Sequence, residues 1–498
     1  MKQKVTYLLL LIIVLFGSYL RLTNYRNRIS FGADSARDAF VAIEGANKLQ
    51  LPITGPFISI APVTTGPWYW YQLIIFQKLF PSPVSPWAYL ALLSILMILV
   101  MYRIGVLLES PLFGLILALV TSLSPNQIRN SVDLTNPSIV GFFTAATILL
   151  ILEIIIKKRS SVWGLALGLT LGITINSHYQ AVALILLPLF LLTYRKIKTF
   201  FFALLGITFT FIPLLFFDLT NHWYNVRHML QYIRYDQYRF WTSMSWTIYL
   251  KDFWPGLWSF FTGGSILVTR IFIFIGPFVF LERLIRSPKR KILFSLSFVF
   301  LIFVIIIRYY RGERFYGYMH FFHPFIFLFT AYFLYIFFRT RLKYFLGLPI
   351  IACYMIIVWP YINPAIQENT GNTETQSLTK EILSKFGDRK YSLFVCKETH
   401  IDKSKNLGLS LYLHDKLDPN SPNKILYFYG RCSLPLVNNG NKVIDPNTQE
   451  GDHIFPKIAN FYNISEASEA AILEHGGVKF TLEKEYQTMA RWWMDEQP

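Results

Sequence analysis

FGADSARDAFVAIEGANKLQLPITGP, Phe31 to Pro56, comes just after the first long apolar run of a chain that otherwise carries few acids. Asp34 and Asp38 stand four residues apart within it. On a helix that spacing puts both carboxylates on one face, where like charges destabilise by a few tenths of a kcal/mol unless something offsets them. Upstream, residues 5–20 are apolar behind Lys2 and Lys4, as in a signal peptide, yet no small-residue cleavage site follows, so the run reads as an uncleaved anchor. The stretch is therefore a polar loop opening directly off a membrane helix.

Composition extends that reading to the whole chain. Its 498 residues are 53% hydrophobic, 17% aromatic and 15% charged, whereas soluble proteins carry about 25% charged residues. This is the signature of an α-helical polytopic membrane protein. The net charge of +18 divides unevenly: residues 1–360 hold 32 Lys+Arg against 11 Asp+Glu, and residues 361–498 hold 15 against 18. The basic excess belongs to the membrane part, so it gives no reason to expect a nucleic-acid partner.

Apolar runs fall at about 5–20, 85–108, 112–125, 136–156, 162–176, 179–193, 198–217, 265–281, 291–307, 321–338 and 344–360, predicting about 11 spans. GPWYWYQLIIFQKLF (66–80) is short and amphipathic, which suits a helix lying in the interface. With the N-terminus in the cytoplasm, the inward loops are those at Arg103, KKRSS, YRKIK (194–198), ERLIRSPKRK (282–291) and FRTRLK (338–343), as the positive-inside rule requires. Residues 1–360 then form a membrane domain whose first outer loop is 21–84, and residues 361–498 an extracytoplasmic mixed α/β domain. YSLFVC and KILYFYG read as its strands, and SEASEAAILEHGG as a helix ending at Gly476.

This topology sorts the polar residues. Asp34, Asp38, Glu44, Asp133, Asp218, Asp236, Asp252 and Glu313 lie outward with His178, His222, His228, His320 and His323, while Glu109, Glu153 and Glu282 face inward. NSHYQ (176–180) sets His178 between two apolar runs, either as a packing residue or beside whatever the outer loops enclose. FDLTNHWYN (217–225) places Asp218 and His222 after a span; the plainer alternative is an Asp N-cap before an exposed helix. RYYRGERFYGYMHFFHP (308–324) gathers three arginines among aromatics. Guanidinium forks suit a lipid phosphate, and the alternative is an interfacial belt with snorkelling arginines.

FGADSARDAFVAIEGANKLQLPITGP, TTGPWYWYQLIIFQKLFPSP, SPNQIRNSVDLTNPS (124–138), NSHYQA (176–181), PLLFFDLTNHWYN (213–225) and YGYMHFFHPF (316–325) together resemble the GT-C glycosyltransferases, the group that includes protein O-mannosyltransferases and the aminoarabinose transferases of lipid A, and within it the bacterial RgtA/B/C/D-like branch. The resemblance covers about residues 1–360. It implies a glycosyltransferase of a bacterial cell membrane that takes a polyprenyl-phosphate sugar donor and passes the sugar to a hydroxyl of a glycan, lipid or protein acceptor at the outer face. It also implies an essential acid in the first outer loop, here Asp34. Members often place a second acid beside the first, whereas this chain has Ser35, so use of a divalent metal stays open.

The residue chemistry agrees. A carboxylate at the acceptor hydroxyl serves as general base, and the departing phosphate needs fixed cations, for which Arg311 and Arg314 are candidates. Asp38 would orient Arg37, bind the acceptor or complete a cation site, or else be a surface acid on a helix capped by Asp34. Asp133, His178, Asp218, His222 and His323 are candidates for the same cavity. Cys396 and Cys432 are the two cysteines of the C-terminal region, and spacing does not say whether they meet. No His/Cys cluster has zinc spacing. A polysaccharide polymerase or ligase is the main alternative; a flippase would place ionisable groups within the spans near the midplane.

Overall fold

The computed structural model describes residues 3–58, 61–235, 244–310, 312, 314–340, 342–386, 389–390, 392–396, 408–409, 411–418, 420–421, 424–427, 436–438, 442–444, 461–463 and 477–480. Seven helices among them are long and apolar enough to cross a membrane: Gln3–Leu22, Ser85–Leu108, Asn136–Ile156, Ile197–Thr220, Arg290–Tyr309, His320–Arg339 and the segment from Tyr344. An eighth passage is a bent pair, Trp246–Thr262 with Ile266–Arg286, turning through 106°. Gly263 and Gly264 make the bend, with φ of +75° and +95° that a side chain would resist. Three shorter apolar helices, Pro111–Ser122, Trp163–Ser177 and Tyr179–Thr193, complete the set. The eleven apolar runs all fall on helices, but among the described residues only seven, or eight with the bent pair, have the length and apolarity to cross, fewer than the eleven spans expected because three runs make helices too short; the chain is an integral membrane protein. Trp68–Leu79 forms the expected short helix, burying Tyr69, Trp70, Leu73 and Ile74 and exposing Ile75 and Leu79.

Local sequence starts these helices where it should. Ser110 and Ser124 each precede a proline, and each hydroxyl accepts the backbone N–H three residues on, from Phe113 at 3.2 Å and Gln127 at 3.1 Å. A serine cap followed by proline at the first helical position satisfies one orphan donor and removes another.

The chain forms two compact units. The first comprises Met1–Tyr25, Gln50–Phe76 and Trp87–Glu368. Its tightest helix pair runs along Gly164, Gly168 and Gly172 against the Ile197–Thr220 helix. A Cβ on Gly168 would sit 2.0 Å from the Ala203 carbonyl oxygen, and one on Gly164 2.2 Å from that of Thr199. Small residues every fourth position let two backbones touch, which gives packing in a medium where apolar side chains gain nothing from leaving water. Beyond the stripe, Asn176 donates to Thr210 Oγ1 at 3.1 Å, and its carbonyl receives the Gly66 N–H at 3.0 Å. The helix pair thus holds the end of the loop that precedes Trp68.

The three acids read as inward are all ion-paired. Glu153 lies between Arg103 and Arg159 at 2.6 and 2.9 Å, Glu282 pairs with Arg286 and Arg339, and Glu109 receives Arg283 Nε at 2.6 Å and the Tyr332 hydroxyl at 3.1 Å. Glu109 is almost wholly buried, its side chain 4% exposed. Removing one member of such a pair strands the other, at a cost of about 3–5 kcal/mol. Glu109→Leu should therefore melt well below the native protein in detergent, and adding Arg283→Leu should restore part of the loss. A double variant no better than the single one would show that this pair does not act as a unit.

The second unit comprises Arg26–Leu49, Gln77–Pro86 and Asn369–Pro498. It contains helices Ala33–Lys48 and Asn372–Phe386 and strands β1 (Ser392–Cys396), β2 (Lys424–Tyr427), β3 (Leu436–Asn438), β4 (Lys442–Ile444), β5 (Phe461–Asn463) and β6 (Gly477–Phe480). The main sheet has the order β5-β2-β1-β6, with β1 and β2 parallel and both outer pairs antiparallel; β3 and β4 form a separate hairpin pair. Both expected strands fall on the central pair. The expected helix at SEASEAAILEHGG and the Cys396–Cys432 question lie outside the described residues. Cys353 is free and exposed on the Lys343–Gln367 helix.

This unit ties the first outer loop to the C-terminal region. Thr370 donates its N–H and hydroxyl to the Asn27 carbonyl, both at 2.8 Å, and Asn372 donates to that of Arg26 at 2.6 Å. Phe31 meets Tyr412 edge to face with ring centroids 5.7 Å apart. The Tyr412 hydroxyl donates to Asn372 Oδ1 and accepts from Gln376, each at 2.9 Å.

Candidate functional site

The opening acids share one guanidinium. Gly32, not Asp34, is the N-cap of the Ala33–Lys48 helix, and Asp34 lies in its first turn, where the exposed N–H groups favour a negative charge. Arg37 donates from Nη1 to Asp34 Oδ1 and from Nε to Asp38 Oδ1, both at 2.8 Å. The three side chains differ sharply in exposure: 63% for Asp34, 9% for Arg37 and 0% for Asp38. Asp38 holds Arg37 from the buried side, and Arg37 fixes one oxygen of Asp34. The other Asp34 oxygen carries no hydrogen bond among the described residues, and it is the free end of an otherwise constrained carboxylate. Among the described residues no three His, Cys, Asp or Glu side chains gather as a metal site. The guanidinium bridges the two carboxylates where a cation would have to sit, so this pair does not fit a metal.

In the first unit a second polar group forms across loops. Asp218 is buried in the last turn of the Ile197–Thr220 helix, and its Oδ1 accepts the Asn225 N–H at 2.7 Å. Asn225 Oδ1 in turn accepts the Thr64 N–H at 2.9 Å and hydroxyl at 3.1 Å, and the Thr64 carbonyl accepts the Tyr179 hydroxyl at 2.7 Å. Asp218 therefore does work as a cap, for the following Tyr224–Arg234 helix rather than its own. His222 is not drawn in: it is exposed at φ +53°, followed by Trp223 at +60°, two left-handed residues that make the sharp turn between helices.

Beside this network lies a cavity of about 250 Å³, lined by His178, Tyr179, Gln180, Asn136, Tyr232, Tyr310 and Tyr318 together with Phe57, Ile306 and Ile307. The His178 ring packs on Tyr318, with centroids 5.2 Å apart. Burial, reinforced by nearby His320, pulls the His178 pKa down to about 3, so the ring is neutral throughout the ordinary working range. The stability consequence has a definite sign. The unfolded chain titrates at this position near pH 6.5 and takes up a proton that the folded ring refuses, so stability falls as pH drops below about 6.5 towards 3, by at most about 1.4 kcal/mol per pH unit. The loss of melting temperature between about pH 7 and about pH 5 should be smaller in His178→Asn than in the native protein; an equal loss would place the titration elsewhere.

Other residues singled out in the sequence are placed differently. Asp133 is exposed and accepts the Thr135 and Ser138 hydroxyls at 3.3 Å, holding the turn before Asn136. Arg314 donates to the carbonyls of Ile307, Arg308 and Tyr310 at 3.0, 3.3 and 2.6 Å, so those donors cap the Arg290–Tyr309 helix. Burial lowers its pKa. Arg311 lies outside the described residues. His323 is fully buried, with Nε2 2.7 Å from Asn126 Oδ1 and Nδ1 3.3 Å from Gln127 Nε2, so both ring nitrogens have partners inside the helix bundle. The sequence singles out neither Asn225 nor Gln180, and it sets Arg308 among three arginines without preferring it. The Arg308 guanidinium lies over Trp246 and Tyr309, 5.2 and 5.5 Å from the ring centroids, and its Nε has no hydrogen-bond partner among the described residues. Its place in the RYYRGER cluster was the available signal.

Comparison with known proteins fits this architecture. A family described as dolichyl-phosphate-mannose-protein mannosyltransferase matches residues 65–217. No curated protein matches the chain by sequence. Among solved structures, ArnT from Cupriavidus metallidurans bound to undecaprenyl phosphate is similar with a TM-score of 0.55 at 14% identity, over 85% of this chain and 86% of that one. The same protein in the apo state gives 0.56 at 12% identity, over 85% and 92%. The apo oligosaccharyltransferase of Archaeoglobus fulgidus gives 0.52 at 13% identity, over 84% of this chain but only 64% of its own length. These likenesses define a class by architecture: the chain has the GT-C glycosyltransferase fold that its motifs resembled.

Proposed function

We propose that the protein is a membrane glycosyltransferase that moves a sugar from a polyprenyl-phosphate donor to an acceptor hydroxyl at the outer face of the membrane, with Asp34 as general base. The observation that carries the reading is the state of Asp34, an exposed carboxylate with one oxygen fixed by Arg37 and the other without a hydrogen bond among the described residues. An alcohol is a weak nucleophile at neutral pH, and a positioned carboxylate takes its proton as the new bond forms. The acceptor oxygen attacks the anomeric carbon, the bond from that carbon to the phosphate oxygen breaks, and its electron pair leaves with the lipid phosphate. The proton passes to Asp34.

The phosphate gains charge in this step and needs a cation that is not already committed. Arg308 meets that description better than Arg314, whose donors serve a helix end. The fold shared with an undecaprenyl-phosphate-bound protein supports a donor of this kind, and the arginine-rich loops support an outward-facing site. The test is transfer from a radiolabelled polyprenyl-phosphate sugar in vesicles, with Asp34→Asn and Asp38→Asn measured beside the native chain. Normal transfer by both variants would overturn the assignment.

A further inference from the structure

We propose that the cavity beside His178 receives the donor's sugar ring and selects one that carries no charge; this rests on the transferase reading above. The lining is the reason. Among the described residues no Asp, Glu, Lys or Arg lines the cavity. Its polar groups are of uncharged kinds: the amides of Gln180 and Asn136, the phenols of Tyr179, Tyr232, Tyr310 and Tyr318, and a histidine ring packed against Tyr318. Its volume of about 250 Å³ falls below the ~300–1,000 Å³ of sites for drug-sized ligands and suits one ring.

Two atoms there are out of reach of solvent and without a hydrogen-bond partner among the described residues, His178 Nδ1 and Gln180 Oε1. A buried polar atom left unpaired keeps its full desolvation penalty, so a ligand that pairs both is favoured over an empty or purely apolar filling. Hydroxyl groups suit this task because each donates and accepts, and so satisfies the imidazole nitrogen in either tautomer as well as the amide oxygen. An ammonium or a carboxylate on the ring would instead lose its water opposite a wall whose described residues offer no counter-charge, which is the costly case. Tyr232 and Tyr310 bond to each other through their hydroxyls at 2.8 Å, which fixes two phenols at the wall. The apolar remainder, Ile306 and Ile307 among it, faces the C–H side of such a ring.

The experiment uses the full chain in vesicles and three probes that share one ring and differ in charge: polyprenyl phosphates carrying glucose, glucosamine and glucuronate. Each is titrated to displace radiolabelled polyprenyl phosphate. The glucose form should displace the label at about tenfold lower concentration than either charged form. Gln180→Glu, nearly isosteric, puts a carboxylate into the wall and should bring the glucosamine form level with the glucose form or ahead of it. A charged form that competes as well as glucose in the native chain overturns the inference while leaving the transferase reading intact. An unchanged ranking in Gln180→Glu removes this cavity as the selecting element. If no sugar-bearing probe displaces the label, the transferase reading fails and the inference falls with it.

Discussion

Asp34→Asn should lower the rate of sugar transfer by about 100-fold to 10,000-fold, the range that one positioned general base contributes, while donor affinity changes little. The asparagine carbonyl can still accept from Arg37 in the place of Asp34 Oδ1, so the local arrangement persists and the loss reports on proton transfer. A drop in kcat and kcat/KM by the same factor is the pattern of an interaction made only in the transition state. Asp38→Asn separates this from a structural effect. Asp38 is fully buried and holds the Nε side of Arg37, so replacing it leaves a buried guanidinium with a weaker partner. That variant should lose thermal stability, and its activity loss should be smaller at low temperature. Equal rate losses in both variants, with equal destabilisation, would mean that the carboxylate pair only starts a helix.

The membrane architecture was legible because hydrocarbon demands uninterrupted apolar sequence. The eleven runs needed no knowledge of what they pack against, and each became a helix. The Trp246–Thr262 arm of the bent pair was missed because Lys251 and Asp252 interrupt it; Gly263 and Gly264 were visible but their φ values were not. The stripe Gly164, Gly168 and Gly172 was equally visible, yet its role depends on Ala203 and Thr199 facing it from another helix.

Site residues divide on the same line. Arg37 with Asp34 and Asp38 could be read because all three lie within one turn or so of a single helix. Asn225 could not, because its partner Thr64 is 161 residues away. Sequence shows three arginines at 308, 311 and 314 but not that the carbonyls of the preceding helix use Arg314. It likewise shows His323 near aromatics but not Asn126 and Gln127 closing on both ring nitrogens.

Removing residues 369–498 should abolish transfer with every acceptor, because the Ala33–Lys48 helix shares its compact unit with that segment. An acceptor-selecting appendage would behave otherwise: the shortened chain would keep its rate and change its choice. The contacts favour the first outcome. Thr370 and Asn372 hold the carbonyls of Arg26 and Asn27, and Tyr412 packs on Phe31, three residues before Asp34. A gentler form of the test avoids gross unfolding. Tyr412→Phe keeps the ring against Phe31 and loses the bonds to Asn372 and Gln376, worth about 0.5–1.5 kcal/mol each. Tyr412→Ala loses the ring as well, for which truncating a buried aromatic sets an upper range of about 3–5 kcal/mol. Transfer should fall in the order native, Phe, Ala, with donor affinity unchanged, because the altered contacts orient the base. Native rates with an altered acceptor preference would instead make the C-terminal region a selector, and the position of Asp34 would then owe nothing to Tyr412.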